Sequence, residues 1–109
     1  MSIIIIENLF NKTISANDHS RTVLQHLHDH GIDWMHSCGG KGKCTTCKLI
    51  ITEGLANFQA LTPAEERYSA QGALNSDERL ACQAKITADV SVRVPKEYQM
   101  PHMRYSDET

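Results

Sequence analysis

Four cysteines carry the chemistry open to this chain of 109 residues. Three fall in one short run, Cys38-Gly39-Gly40-Lys41-Gly42-Lys43-Cys44-Thr45-Thr46-Cys47, and Cys82 follows after thirty-four more residues. The spacing is C-x5-C-x2-C-x34-C. Thiolate is a soft metal ligand and a redox-active group, so metal binding and sulfur redox chemistry are the readings to weigh. A [2Fe–2S] rhomb needs four thiolates, two on each iron, around two bridging sulfides. One loop wrapped about the cluster supplies three, and the fourth comes from elsewhere in the fold. Such a loop brings its backbone close to the sulfides, and Gly39, Gly40 and Gly42 permit that approach. Structural zinc instead pairs two Cys-x2-Cys knuckles; Cys44 and Cys47 form one, but Cys38 and Cys82 do not form the other. Two disulfides leave the lysine- and glycine-rich loop unexplained. A redox dithiol places its Cys-x2-Cys at a helix start, whereas a β-branched stretch follows Cys47. The cluster leads, with zinc, disulfides and a dithiol as competing readings.

Other side chains invite a metal story with less support. His26 and His30 lie four apart on one helical face, but no third ligand is evident, so a solvated helix face is expected. His36 precedes Cys38 by two residues and could replace a cysteine ligand, yet four cysteines already suffice. Trp34 and Met35 are expected to fix the start of the cysteine loop by packing. Lys41, Lys43 and Lys48 read equally well as a solvated rim or as charges that set a potential or meet a partner.

The elements that must position the loop can be read from periodicity. Ile3 to Glu7 is a β-branched run suited to a strand covered on both faces, and Lys12 to Ala16 returns as a hairpin partner. Asn17, Asp18 and Ser20 offer N-caps for a helix over about Arg21 to His30, with Val23, Leu24 and Leu27 inward and Gly31 closing it. Leu49 to Thr52 is a short strand. Thr62, Pro63 and Glu65 make the N-cap, first position and capping-box partner of a second helix that ends before Gly72. Leu80, Cys82, Ala84 and Ile86 alternate as a strand would, and Val90, Val92 and Val94 form the last strand before Pro95. The order β-β-α-loop-β-α-β-β predicts an α+β fold with a mixed sheet. One domain over residues 1–95 and a polar tail over 96–109 account for the chain.

A net charge of −2 and a pI near 6.3 leave no basic field for nucleic acid. No apolar run approaches a membrane span, and the start lacks the basic leader of a signal peptide, so a cytoplasmic location is expected. No nucleophile–base pair or phosphate loop is visible, and an enzymatic role is not expected.

The x5-x2 spacing, the Cys-Gly-Gly-Lys-Gly-Lys-Cys loop and the run Arg79-Leu80-Ala81-Cys82-Gln83 resemble the [2Fe–2S] ferredoxins of β-grasp fold. The cysteine spacing is similar to the adrenodoxin-type branch. The loop and residues 79–95 are also similar to ferredoxin domains of bacterial corrinoid-protein activators. The resemblance implies a β-grasp sheet of four to five strands with a crossing helix and a cluster on Cys38, Cys44, Cys47 and Cys82. By the same resemblance Cys38 and Cys44 would hold the outer iron, which takes the electron, and Cys47 and Cys82 the inner one. The implied function is one-electron carriage between a flavin-dependent ferredoxin reductase, or another donor, and an acceptor redox enzyme. A metal-organised binding module and a cluster-delivery protein are the alternatives. Two departures stand out: Lys48 occupies a place where adrenodoxin-type proteins often have His, and Arg67 and Arg79 interrupt the acids Glu65, Glu66, Asp77 and Glu78. Those four acids and the loop rim from Lys41 to Thr46 are the expected docking surface.

Overall fold

The structure is a computed structural model that describes residues 2–32, 34, 47–95, 99 and 105. Five strands form one mixed sheet: β1 (Ile3–Ile6), β2 (Lys12–Ser15), β3 (Lys48–Glu53), β4 (Glu78–Leu80) and β5 (Val90–Arg93), in the order β2-β1-β5-β3-β4. Hairpin pairing of β1 with β2 is antiparallel, whereas β1 and β5 run parallel at the centre. Among the described residues two helices, α1 (Val23–Asp29) and α2 (Pro63–Ala70), and a short 3-10 turn at Leu55–Asn57 accompany the sheet. The expected β-grasp arrangement is therefore present.

The core follows from strand alternation. Ile4 and Ile6 pair with Val90 and Val92, and Ile51 continues that row across β3. All five are buried and pack with Val23, Leu27, Leu49, Leu80 and Ile86. Each fully buried aliphatic side chain here contributes roughly 1.5–3 kcal/mol relative to exposure. Complete cover of β1 is not observed: Ile3 and Ile5 are only half-buried, because their face looks onto a shallow groove beside Glu53, Asn57 and Asp89. Tyr105, from the tail, is buried in the core.

A helix as short as α1 depends on capping and packing. Thr22, not Asn17, Asp18 or Ser20, is its N-cap, because Gln25 three residues on completes a reciprocal capping box. Asp18 is spent on a turn with Ser20, and Asn17 accepts from the Ser2 amide. At the other end Gly31, at φ +70°, donates to the His28 carbonyl while Ile32 donates to Leu27. That pair of bonds is the Schellman closure glycine allows. For α2 the expected Thr62–Glu65 capping box and Pro63 at the first turn are observed. No helix among the described residues is long and apolar enough to cross a membrane.

Candidate metal centre

Cys47 immediately precedes β3, and Cys82 lies in the turn that follows β4. Antiparallel pairing sets Lys48 opposite Leu80, and the Ala81 amide donates to the Cys47 carbonyl at 3.1 Å. Beyond Leu80 the expected strand alternation fails. Ala81–Gln83 is a turn, closed by the Gln83 and Ala84 amides on the Leu80 carbonyl at 2.9 and 2.8 Å. Ala81 and Cys82 are consequently both buried, where alternation would expose one of them. The turn aims Cys82 at Cys47, and their Sγ atoms lie 3.4 Å apart in the core. A disulfide would need about 2.05 Å. Two thiolates on one tetrahedral metal, with bonds of about 2.3 Å, would stand about 3.8 Å apart. The donor pair suits a thiolate-bound metal. Cys38 and Cys44, with Met35, His36, Lys41 and Lys43, lie outside the described residues.

Three supports fix this sulfur pair, and sequence reasoning found only the first. Trp34 is buried, and its indole Nε1 donates to the Cys47 carbonyl at 3.0 Å, so its packing role carries a specific bond. The first amides of α1 donate to the Cys82 turn, Val23 to the Ala84 carbonyl at 2.9 Å and Leu24 to Ala81 at 2.8 Å. Orphan helix donors are thereby satisfied by the carbonyls that flank the ligand turn. The Thr22-x-x-Gln25 pattern was the signal that could have placed this helix start.

The third support overturns an expectation. Glu65 is fully buried, and therefore forms no part of a docking surface. Its Oε2 accepts from Arg79 Nε at 2.6 Å and from the Leu80 amide at 3.0 Å. Its Oε1 accepts from Arg79 Nη2 at 2.8 Å and from the Thr62 amide at 3.1 Å. Arg79 Nη1 donates on to the Gln59 carbonyl at 2.8 Å, and its guanidinium lies over the Phe58 ring. This two-pronged pair ties α2, the 59–60 segment and β4 together three residues before Cys82. Buried carboxylates are rare unless so paired. Glu78 is likewise engaged, with Lys48 at 3.6 Å, both side chains being mostly covered. Lys48 is thus not a free rim charge, and of the four acids only Glu66 and Asp77 are exposed.

Nor is His26 on a solvated face. It is buried, with Nε2 at 3.0 Å from the Asp18 carbonyl, and burial pushes its pKa below the usual imidazole value. His30 is exposed and bonds the His26 carbonyl through Nδ1. Hydrogen bonds from the Ser20 side chain and amide lower the Asp18 pKa. Among the described residues no three His, Cys, Asp or Glu side chains gather as a metal site.

Comparison with known proteins settles the family. Residues 5–87 match the 2Fe-2S iron-sulfur cluster binding domain. The chain belongs to that family. Within it, the chain is 38% identical over 82 residues to 2Fe-2S ferredoxin-5 of Aquifex aeolicus, which spans 70% of this chain and 82% of the relative. It is 34% identical over 76 residues to one component of the Na(+)-translocating NADH-quinone reductase of Psychrobacter cryohalolentis, covering 70% of the chain but only 18% of that relative. By structure it is similar to the ISC-like [2Fe-2S] ferredoxin of Pseudomonas putida, with a TM-score of 0.75, 26% identity and coverage of 94% of this chain and 98% of the other. The β-grasp expectation and the ferredoxin resemblance are both borne out.

Proposed function

We infer that this family member is a one-electron carrier whose [2Fe–2S] cluster is held by Cys38, Cys44, Cys47 and Cys82. The observation that carries the assignment is the Cys47–Cys82 pair, two buried sulfurs 3.4 Å apart in a chain of this family with two further cysteines at C-x5-C spacing. When bound, the cluster supplies a site that accepts and returns a single electron without bond making at the protein. The chain's own residues hold the sulfurs and limit water around them. Cys47 leads directly into a core strand, and its carbonyl is locked by Trp34 and Ala81. Cys82 is carried on a turn held from one side by α1 and from the other by Glu65 and Arg79. Supports of this kind keep a ligand set in one geometry through both charge states.

Residues 1–95 form the cluster domain in this reading and 96–109 a tail anchored by buried Tyr105. The cytoplasm is its proposed location. A flavin-dependent reductase is its proposed donor and a further redox enzyme its acceptor, a reading supported by the NADH-quinone reductase component among its relatives. Docking is assigned to the loop rim, Lys41 to Thr46, with the exposed acids Glu66 and Asp77 replacing the four-acid patch. Four thiolates and a doubly positive core take the net charge from −2 to about −4, which favours a basic partner face and a salt-sensitive encounter.

Serine substitutions made singly at the four cysteines test the assignment. Each should lower iron and labile sulfide content or alter the visible spectrum. A Cys82→Ser protein with a normal cluster, beside a His36→Ala protein that lost it, would refute the ligand set.

A further inference from the structure

Gln83 follows Cys82 directly, and its side-chain Nε2 lies 3.9 Å from the Cys82 Sγ, within reach of a hydrogen bond to sulfur. We propose that Gln83 tunes the reduction potential of the centre by donating this amide N–H to the Cys82 sulfur from the solvent side. The proposal rests on Cys82 being a cluster ligand. Its chemistry follows from the partners: a thiolate only accepts, so the NH2 end of the amide is the end that belongs at the sulfur. Reduction adds negative charge at the sulfurs, and a donor to a charged acceptor binds more strongly as that charge grows. The bond therefore favours the reduced state and raises the potential.

The surroundings explain why this side chain matters. Cys82 and Gln83 line a cleft of about 270 Å³ together with Thr22, Gln59, Thr62 and Lys85. Cys82 itself is only 5% exposed, while Gln83 is half-buried and stands at the wet side of the sulfur. Of the neighbours, the Gln59 amide donates to the His19 carbonyl, Thr22 and Thr62 accept from the helix amides that they cap, and Gln83 is the side chain that reaches the Cys82 sulfur with a donor. Lys85, half-buried on the same rim, acts in the same direction through its charge, an effect that salt screens. The contact from Gln83 is local and resists such screening. Its backbone bond to the Leu80 carbonyl is untouched by side-chain replacement, so the turn survives substitution.

Redox titration of the cluster-loaded wild type, Gln83→Leu and Gln83→Glu, followed by visible absorption and circular dichroism at low and high salt, tests the proposal. Gln83→Leu should shift the reduction equilibrium toward the oxidised state about tenfold, equivalent to 59 mV for one electron, at both salt concentrations. Gln83→Glu, which swaps the donor for a negative acceptor, should shift it further at pH 8. Each variant should also alter the sulfur-to-iron absorption bands while keeping wild-type iron content. Potentials equal to wild type in both variants would overturn the proposal, and if Gln83→Leu loses its cluster, Gln83→Glu decides alone. A Cys82→Ser control separates the two readings. If it keeps the wild-type spectrum, the ligand assignment has failed; if it changes the spectrum while the Gln83 variants titrate as wild type, only the tuning role has failed.

Discussion

Replacing Glu65 by Gln puts the supporting frame of the centre to a quantitative test. The carboxylate accepts four hydrogen bonds, two from Arg79 and one each from the Leu80 and Thr62 amides, at zero solvent exposure. An amide keeps one oxygen acceptor and turns an NH2 group toward donors on the other side. It also strands the Arg79 guanidinium, 6% exposed, without its counter-charge. Removing one partner of a buried pair costs about 3–5 kcal/mol. A domain of this size has about 5–15 kcal/mol in all, and each kcal/mol moves Tm by about 4 °C, so a drop of about 12–20 °C is expected. Loss of the cluster on unfolding makes the transition irreversible, so apparent Tm values are compared at one scan rate. Exposed Glu66→Gln is the control and should change stability by less than about 0.5 kcal/mol. A double Glu65→Leu, Arg79→Met variant should recover part of the loss, because it removes both charges yet leaves the Leu80 and Thr62 amides without their acceptor. If Glu65→Gln melts with Glu66→Gln, the buried pair is not what holds β4 to α2.

Further expectations follow from the same geometry. Trp34→Phe removes the indole donor to Cys47 and should cost about 0.5–1.5 kcal/mol, read as a shorter cluster half-life in mild urea. His26 titrates near 6.5 when unfolded and at a lower pH when folded, so between those values the unfolded chain binds more protons. Stability should therefore fall from pH 7 to pH 5 in the wild type and fall less in His26→Gln; the Asp18 shift acts only below its ordinary value of 3.8, outside this window. Gly54→Ala should cost more than Gly31→Ala in thermal melts. Both sit at positive φ, but a Cβ at Gly54 would come within 2.6 Å of the Asp89 carbonyl oxygen, whereas at Gly31 it would meet open space.

The features legible in the sequence were those with local causes. Thr62-Pro63-Ala64-Glu65 announced a helix start because its capping bonds close within four residues, and the alternation of Val90 and Val92 announced a buried strand for a similar reason. Four cysteines at family spacing carried the cofactor. What escaped was set by contacts distant in sequence. Glu65 and Arg79 are fourteen residues apart, and the local capping box that marks Glu65 does not reveal that its carboxylate is buried against Arg79. His26 looked solvated because helical spacing does not reveal that Asp18 folds back over it. The run from Leu80 to Ile86 reads as alternating apart from Ala81, yet the Leu80 carbonyl captures two amides and makes a turn of its start. Tertiary demand, bringing one sulfur to another, overrides the pattern there.

Visible absorption and electron paramagnetic resonance spectra of the purified protein before and after one addition of dithionite, with metal content measured on the same sample, show directly whether the chain carries a one-electron [2Fe–2S] cluster. The chain should hold about two irons and two labile sulfides, be coloured and resonance-silent when oxidised, and show about one unpaired spin on reduction with partial bleaching. A colourless protein holding zinc, or one whose spectrum dithionite leaves unchanged, would contradict the cluster assignment.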